Sequence, residues 1–413
     1  MHLYDVPLLF ALIGLALYVV LGGADFGAGF WQLAAGRGER AERVREHAHV
    51  SMAPVWEANH VWLVFVLVVM WTSYPEAFAS IASTLSIPLF AAAVGIIFRG
   101  AAYALRSGTS SARELRLVDT AFSLASILTP FALGTVVGGI ASGRVPVGNA
   151  QGDPWTSWLN ATSIAIGVLA VALSAYMAAV YLAADAVRTG DDELERSFRV
   201  RALGAGLVAG AAAAAGLIVV RSDVRELFDA LVSGGGLAAL IVSALAGVAT
   251  LVLVAGRRYE PARYSAALAV AAVIAGWAIA QSPALLPGAL TVEQAAASHD
   301  TLVATTIAVL GGAVVLFPSL ALLFTLTLRG RLGEDHGGGA GGPAGAAAPT
   351  LRALAPTREG LLARLSIAFA IAGFGFLTVA DAGWAHAIGV PCLMLCALLG
   401  FRAAVTLDQP ERG

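Results

Sequence analysis

Long apolar runs recur through this chain, and they constrain its fold more than any other feature. A helix needs about 20 apolar residues to cross about 30 Å of bilayer hydrocarbon. With 58% hydrophobic and 13% charged residues over 413 positions, against roughly 25% charged in soluble domains, the sequence predicts an all-α polytopic membrane protein. Eleven runs are candidate spans, near residues 7–33, 52–72, 80–103, 119–143, 160–186, 202–220, 236–256, 264–282, 301–328, 361–379 and 385–402.

Arginines alternate between the two sides of the predicted membrane. Twenty of the 25 basic residues fall in connections on one side, and three, Arg144, Arg221 and Arg225, fall on the other. Because short cytoplasmic connections retain positive charge, we expect the amino terminus outside the cell and the carboxyl terminus in the cytoplasm. A net charge of −2 without a clustered basic surface argues against a nucleic-acid partner.

A stretch rich in Gly, Ala and Pro divides the chain. Residues 331–358 have too few large apolar side chains to pack a core, so we expect a flexible cytoplasmic linker. This linker separates residues 1–330, with about nine core transmembrane helices, from residues 359–413. The second part is predicted to be an additional two-helix transmembrane hairpin with a short tail.

Two acidic residues, Asp25 and Glu57, interrupt otherwise apolar runs. An ionised group at the centre of a spanning helix costs about 3 kcal/mol and usually faces a protein interior, a partner or water. If the second span begins near residue 52, Glu57 lies about 8 Å and Asp25 about 12 Å from the arginine-rich side. Two interpretations remain open: a carboxylate pair that relays protons, or hydrogen-bonded groups that fix helix contacts.

The spacing of Glu57 and His60 raises the question of a metal site. Three residues apart, they share one helix face, and carboxylate-bridged di-iron bundles use the same Glu-x-x-His spacing. A second copy, Glu46 with His49, lies in a charged segment that is expected to form a loop. No further Glu stands in an apolar helix to complete a site, so we expect no metal in this chain. A haem ligand role for His60 is a minor alternative, since no second His or Met marks a partner.

Arg99 lies near the cytoplasmic end of the third predicted span. It is either an anchor whose guanidinium extends to the membrane surface or a counter-ion for Asp25 or Glu57. Small residues allow helices to approach closely in lipid, so the glycines around Asp25 predict that this carboxylate faces another helix. These glycines are Gly22, Gly23, Gly27 and Gly29.

Several segments resemble subunit II of the cytochrome bd family of quinol oxidases, including its cyanide-insensitive relatives. They include GADFGAGFW around Asp25, PVWEANHVWL at 54–63, IIFRGAAYALR at 96–106 and LTPFALGTVVGG at 128–139. The resemblance covers about residues 1–330. It implies two four-helix bundles plus a peripheral helix, paired with a subunit I that carries haem b, haem d and the quinol site. No haem cofactor is therefore expected in this chain.

The resemblance also implies roles for individual residues. Glu57 matches the family's proton-pathway carboxylate, and Asp25 matches the acidic position of the first-span motif. The expected supporting positions are Trp56, Asn59, His60 and Arg99.

Two positions depart from the family pattern. Gly22 stands where some members carry an acid, and Ala104 stands where many do. We therefore expect the cytoplasmic entrance of the pathway to differ here and assign no site to either position.

The resemblance implies a subunit of a terminal quinol oxidase in the bacterial plasma membrane. Quinol would be oxidised and dioxygen reduced in the partner, while this chain stabilises the partner and helps deliver cytoplasmic protons. Two alternatives stay open: a secondary transporter with membrane carboxylates as coupling groups, and a scaffold for subunit I. A small accessory subunit and a structural quinone or lipid also remain open.

Overall fold

The computed structural model describes residues 2–106 and 112–328, positions 365 and 369, and the helix Val390–Leu399. Side chains at 52–58, 103–104, 106, 112–115 and 315–328 lie outside the described part. The chain divides into two units, Met1–Arg329 and Gly330–Gly413. The predicted linker, 331–358, and most of the predicted hairpin lie outside the described residues, so this domain organisation stays a prediction.

The first unit is almost entirely helical. A 3-10 helix, Leu3–Asp5, precedes α1 (Val6–Leu33), α2 (Glu39–Ser73), α3 (Pro75–Thr84), α4 (Ser86–Arg106), α5 (Ala112–Ala141), α6 (Ala161–Arg188), α7 (Asp192–Asp223), α8 (Arg225–Leu231), α9 (Gly234–Ala255) and α10 (Tyr259–Gln281). A short antiparallel hairpin follows, β1 (Ala284–Leu286) with β2 (Leu290–Thr291), and then α11 (Val292–Ala295) and α12 (His299–Leu328).

The long helices pack in two groups of four. One group contains α1, α2, α4 and α5, and the other contains α6, α7, α9 and α10, while α12 contacts α1 and α2. Helix α6 joins the groups, because it contacts α1, α5, α7 and α10. Within the described residues, six helices are long and apolar enough to cross a membrane, or seven if the bent pair α3–α4 counts as one span. The predicted all-α polytopic membrane fold is confirmed, and the predicted number of spans stays a prediction.

One end of the first unit, here named the cap face, is closed by residues 142–160, the β-hairpin and α11. The Tyr74 hydroxyl donates to the Tyr4 carbonyl at 2.5 Å, and the Ala297 N–H donates to the Ser73 carbonyl at 2.8 Å. These contacts tie the first helical turn, the α2–α3 elbow and the start of α12 together.

The opposite end, here named the arginine face, comprises the α1–α2, α6–α7 and α9–α10 connections. Arg43 of α2 pairs with Asp191, the N-cap of α7, at 2.5 Å. Hydrogen bonds from the Leu194 N–H and from Arg43 lower the pKa of the Asp191 carboxyl below its usual value. The Tyr259 hydroxyl donates to buried Glu195, which ties α10 to α7.

Helix α2 begins well before the predicted start near residue 52. Its additional turns, from Glu39 onward, contain Arg, Glu and Ala, which form helices readily. Apolar side chains recur there at helical spacing, pack into the core shared with α6 and α7, and leave the charged side chains on the other face. The fully buried members of this stripe are Ala41, Val44 and Ala48.

The third predicted span, 80–103, is interrupted. Helices α3 and α4 meet at an angle of 82°, and Leu85 lies between them. Pro88 has no N–H, so the Thr84 carbonyl loses its helical donor at this point. The long part of this span therefore begins at Ser86.

Helix α1 crosses α6 at very short range. A Cβ atom added to Gly27 would lie 1.9 Å from the Ser174 carbonyl oxygen and 2.7 Å from the Ala178 Cβ. Because the first of these neighbours is backbone, it cannot move aside without shifting α6. Only glycine fits at this crossing.

We expect Gly27→Ala to separate α1 from α6 and to lower the free energy of unfolding by about 1–3 kcal/mol or more, as overpacking does. The matched control is Gly210→Ala in α7, where an added Cβ meets nothing within 4 Å. Thermal unfolding of the purified protein in detergent checks both variants. Equal midpoints for the two variants would contradict the close crossing.

Candidate functional site

The Asp25 carboxylate is buried inside the first group of helices. It is 1% exposed and lies on α1, eight residues before the helix ends. Its Oδ1 accepts a hydrogen bond from Arg99 Nη2 on α4, and its Oδ2 accepts one from Asn59 Nδ2 on α2 at 2.8 Å. One carboxylate thus links three helices.

Arg99 extends this network to a fourth helix. Its Nη2 also donates to the Asp25 carbonyl at 2.9 Å, and its Nη1 donates to Ser126 Oγ on α5. The guanidinium lies over the rings of Phe122 and Phe26, with 4.2 Å and 5.0 Å to the ring centroids. Arg99 is 1% exposed, so its charge is compensated by the carboxylate, polar oxygens and aromatic faces rather than by water.

Small residues make room for the network. A Cβ on Gly29 would lie 2.2 Å from Ser126 Oγ and 3.3 Å from Arg99 Nη1. Likewise, a Cβ on Gly95, one turn before Arg99 on α4, would lie 2.3 Å from Thr129 Oγ1. These glycines let α1, α4 and α5 approach closely enough for one arginine to bridge them.

Buried polar side chains continue along the same face of α1. Tyr18 and Gln32 lie seven residues before and after Asp25, and seven residues are close to two helical turns. Both are buried, at 4% and 2% exposure. Tyr18 Oη and Gln32 Nε2 have no hydrogen-bond partner among the described residues. The face therefore carries polar groups over about 21 Å of helix, at 1.5 Å per residue.

The structure brings some of the predicted site residues together. Asn59 and Arg99 both bind Asp25, and His60 is near enough to Asp25 to interact with it electrostatically. The side chains of Trp56 and Glu57 lie outside the described residues, although the α2 backbone is helical at both positions. From the sequence, Arg99 is either an anchor at the membrane surface or a counter-ion. The geometry supports the second interpretation, with Asp25 as the paired carboxylate.

The two Glu-x-x-His pairs both lie within α2. Glu46 and His49 belong to its amphipathic first half rather than to a loop. Where the chain is described, no group of three or more His, Cys, Asp or Glu side chains is arranged to hold a metal ion.

Sequence reasoning missed Ser126, Tyr18 and Gln32. The spacing of seven residues on either side of Asp25 could have indicated Tyr18 and Gln32, because it puts all three on one face of a helix. No comparable signal existed for Ser126, since a serine in an apolar helix commonly bonds its own backbone, and Ser126 also donates to the Phe122 carbonyl at 2.6 Å.

These features define a class: a multi-pass helical membrane protein organised around a buried Asp–Arg pair. The chain belongs to the cytochrome bd terminal oxidase subunit II family, whose model matches residues 3–327. The bd oxidase structure from Geobacillus thermodenitrificans is similar to it with a TM-score of 0.64 and 25% identity, covering 80% of this chain and 99% of that one. The membrane helices and the family together indicate a protein of the bacterial plasma membrane.

Two curated relatives are similar over part of the chain. Cytochrome bd ubiquinol oxidase subunit 2 of Bacillus subtilis is 27% identical over 119 residues, which cover 29% of this chain and 34% of the relative. Cytochrome bd-I ubiquinol oxidase subunit 2 of Escherichia coli K12 is 26% identical over 134 residues, which cover 32% and 35%. The alignments thus span about a third of the length of these relatives.

We expect Asp25→Asn and Arg99→Gln each to lower the free energy of unfolding by about 3–5 kcal/mol, because each leaves an uncompensated buried charge. The double variant removes both charges and is expected to lose less than the sum. Denaturant unfolding in detergent micelles, analysed as a double-mutant cycle, measures the coupling.

The control for this cycle is the exposed pair Arg225–Asp229 on α8, with side chains 74% and 61% exposed. Replacing these residues by Gln and Asn is expected to cost about 1 kcal/mol or less. Additive losses at Asp25 and Arg99 would contradict the buried pair.

Proposed function

We propose that this chain is subunit II of a bd-type quinol:dioxygen oxidoreductase of the respiratory chain. It stabilises a haem-bearing subunit I and helps deliver protons from the arginine face, which faces the cytoplasm. Family membership over residues 3–327 and the similarity to a bd oxidase structure support this assignment. The observation that carries the proton role is the buried polar network of Asp25, Arg99 and Asn59 inside a membrane bundle.

The reaction requires protons at a buried place. Two quinols give four electrons and four protons as they become quinones, and one dioxygen takes up four electrons and four protons to become two waters. Haem b and haem d, in the partner, would supply electron transfer and oxygen reduction. If the consumed protons come from the cytoplasm and the quinol protons leave on the other side, each turnover separates charge across the membrane. A polar route through protein is then needed, because lipid does not carry protons.

Asp25 and Glu57 have different roles in this proton delivery. Asp25 is held by Arg99 and Asn59, and a proton on its carboxylate would leave the guanidinium uncompensated, at a cost of about 3–5 kcal/mol. In this proposal Asp25 stays ionised and fixes the local field. Glu57 precedes Asn59 by two residues, or about 3 Å along the axis of α2, and is the carboxyl group that gains and loses a proton.

A scaffold without a proton role is the second candidate. It is favoured by one specific observation, namely that the Asp25–Arg99 network ties α1, α2, α4 and α5 together. A scaffold uses the pair only for stability, so turnover per folded complex would be unchanged when Glu57 is altered.

The assignment is tested first on the native complex purified from membranes. We expect a haem-bearing partner to copurify, a visible absorption band of d-type haem, and oxygen consumption that depends on added quinol. A complex without haem and without quinol-dependent oxygen consumption contradicts the assignment.

The Glu57→Gln variant tests the proton role. We expect quinol-dependent oxygen consumption to fall at least about tenfold, as loss of a proton-transfer group does, while haem content per complex stays unchanged. The control is Glu76→Gln, which removes an exposed carboxylate on α3 and should leave turnover as in the wild type. Wild-type turnover in Glu57→Gln would contradict the proposed role in proton delivery and would favour the scaffold without a proton role.

A further inference from the structure

Arg201, on α7, is a cation without a carboxylate partner among the described residues. Its Nη1 donates to Ser197 Oγ, and its guanidinium lies 5.6 Å from the centroid of the Trp31 ring and 5.1 Å from that of Phe198. No carboxylate oxygen of the described residues lies within 4.0 Å of it. Arg201 is nevertheless half-buried, and a charge removed from water usually has a counter-ion.

The other arginines of the described part differ from Arg201. Most have a carboxylate within 4.0 Å, as Arg43 has in Asp191. The rest that lack one are all exposed to solvent: Arg37, Arg116, Arg196, Arg221 and Arg258. Arg201 is thus the half-buried arginine in the described residues that has no carboxylate counter-ion among them.

The position of Arg201 along α7 indicates where that counter-ion comes from. Arg221 follows it by 20 residues, which is about 30 Å of helix, and every residue between them is uncharged. This length equals the hydrocarbon thickness of a typical bilayer. If α7 crosses the membrane, Arg201 lies at the boundary of the leaflet on the arginine face, at the depth of lipid phosphates.

The surface beside Arg201 can accept an acyl chain. One turn further along α7, an added Cβ on Gly204 would meet nothing within 4 Å. Val200, Leu207 and Val208 are 62–66% exposed. Helix α7 thus presents a cation at the membrane boundary and an open apolar strip beneath it.

We propose that Arg201 binds the phosphate of an anionic phospholipid whose acyl chain lies along α7 at Gly204 and Val208. The charge of Arg201 favours an anionic lipid over a zwitterionic one, because the cation of a zwitterionic headgroup would be repelled. Trp31 supports the site from α1, since aromatic rings are enriched at the headgroup level. The proposal needs α7 to span the bilayer and does not depend on the oxidase assignment.

Native mass spectrometry of the intact purified complex, delipidated and titrated with phosphatidylglycerol, tests the proposal. We expect Arg201→Gln to bind one phosphatidylglycerol fewer than the wild type, or that one about fivefold more weakly, in line with the value of one arginine near an anionic surface. The matched control is Arg196→Gln, which removes an exposed arginine from the same helix and should bind as the wild type does. Equal binding by the two variants overturns the proposal.

Two further arms identify the ligand. Phosphatidylcholine is expected to bind more weakly than phosphatidylglycerol, and equal binding would refute the preference for an anionic lipid. Millimolar inorganic phosphate is expected to leave lipid binding unchanged, whereas displacement of the lipid would indicate a site for free phosphate.

If Arg201→Gln does not fold, Arg201→Lys is used. It keeps the charge but not the planar fork, and wild-type affinity in that variant counts against a phosphate held by the guanidinium.

Discussion

The buried pair of Asp25 and Arg99 is the interaction on which the first group of helices depends. In lipid an unpaired charge has no water to solvate it. Burying either charged side chain is therefore unfavourable unless the other is present as its counter-ion. Asp25 comes from α1, Arg99 from α4, and their remaining partners from α2 and α5. Helices that are individually stable in the bilayer thus acquire one specific arrangement, because a guanidinium reaches all its acceptors only when they are correctly aligned.

Backbone geometry makes that arrangement possible. Apolar side chains gain little by leaving lipid for a helix interface, so membrane helices associate mainly through close packing and polar contacts. At Gly27 and Gly29 the absence of a Cβ brings α1 against α6 and α5, and at Gly95 it brings α4 against α5. The polar network and the glycines therefore depend on each other, since the arginine could not bridge helices that a methyl group kept apart.

Much of the fold could be predicted from the sequence, because apolar runs of bilayer length leave few alternatives to a spanning helix. The errors occur where that argument does not apply. The first half of α2 is amphipathic, so its charges concealed a buried stripe through Val44 and Ala48. The break at Leu85 depends on one missing N–H, at Pro88, within an apolar run. At the site, Asp25 and Arg99 could be identified because charged residues are rare in apolar runs. Ser126 is a common residue in such runs, and its role arises only when α4 and α5 meet.

The same physical reasoning separates the roles of the charged groups in this protein. A carboxylate that must exchange protons needs two protonation states of similar free energy, and a close guanidinium prevents this by favouring the ionised form. Asp25 is bound to Arg99 on one oxygen and to Asn59 on the other, and we propose that it acts as a fixed charge. The proton carrier must then be a different acid, which is the role we propose for Glu57. The fixed pair would still affect the carrier, because in a medium of low dielectric constant its field acts over several ångströms.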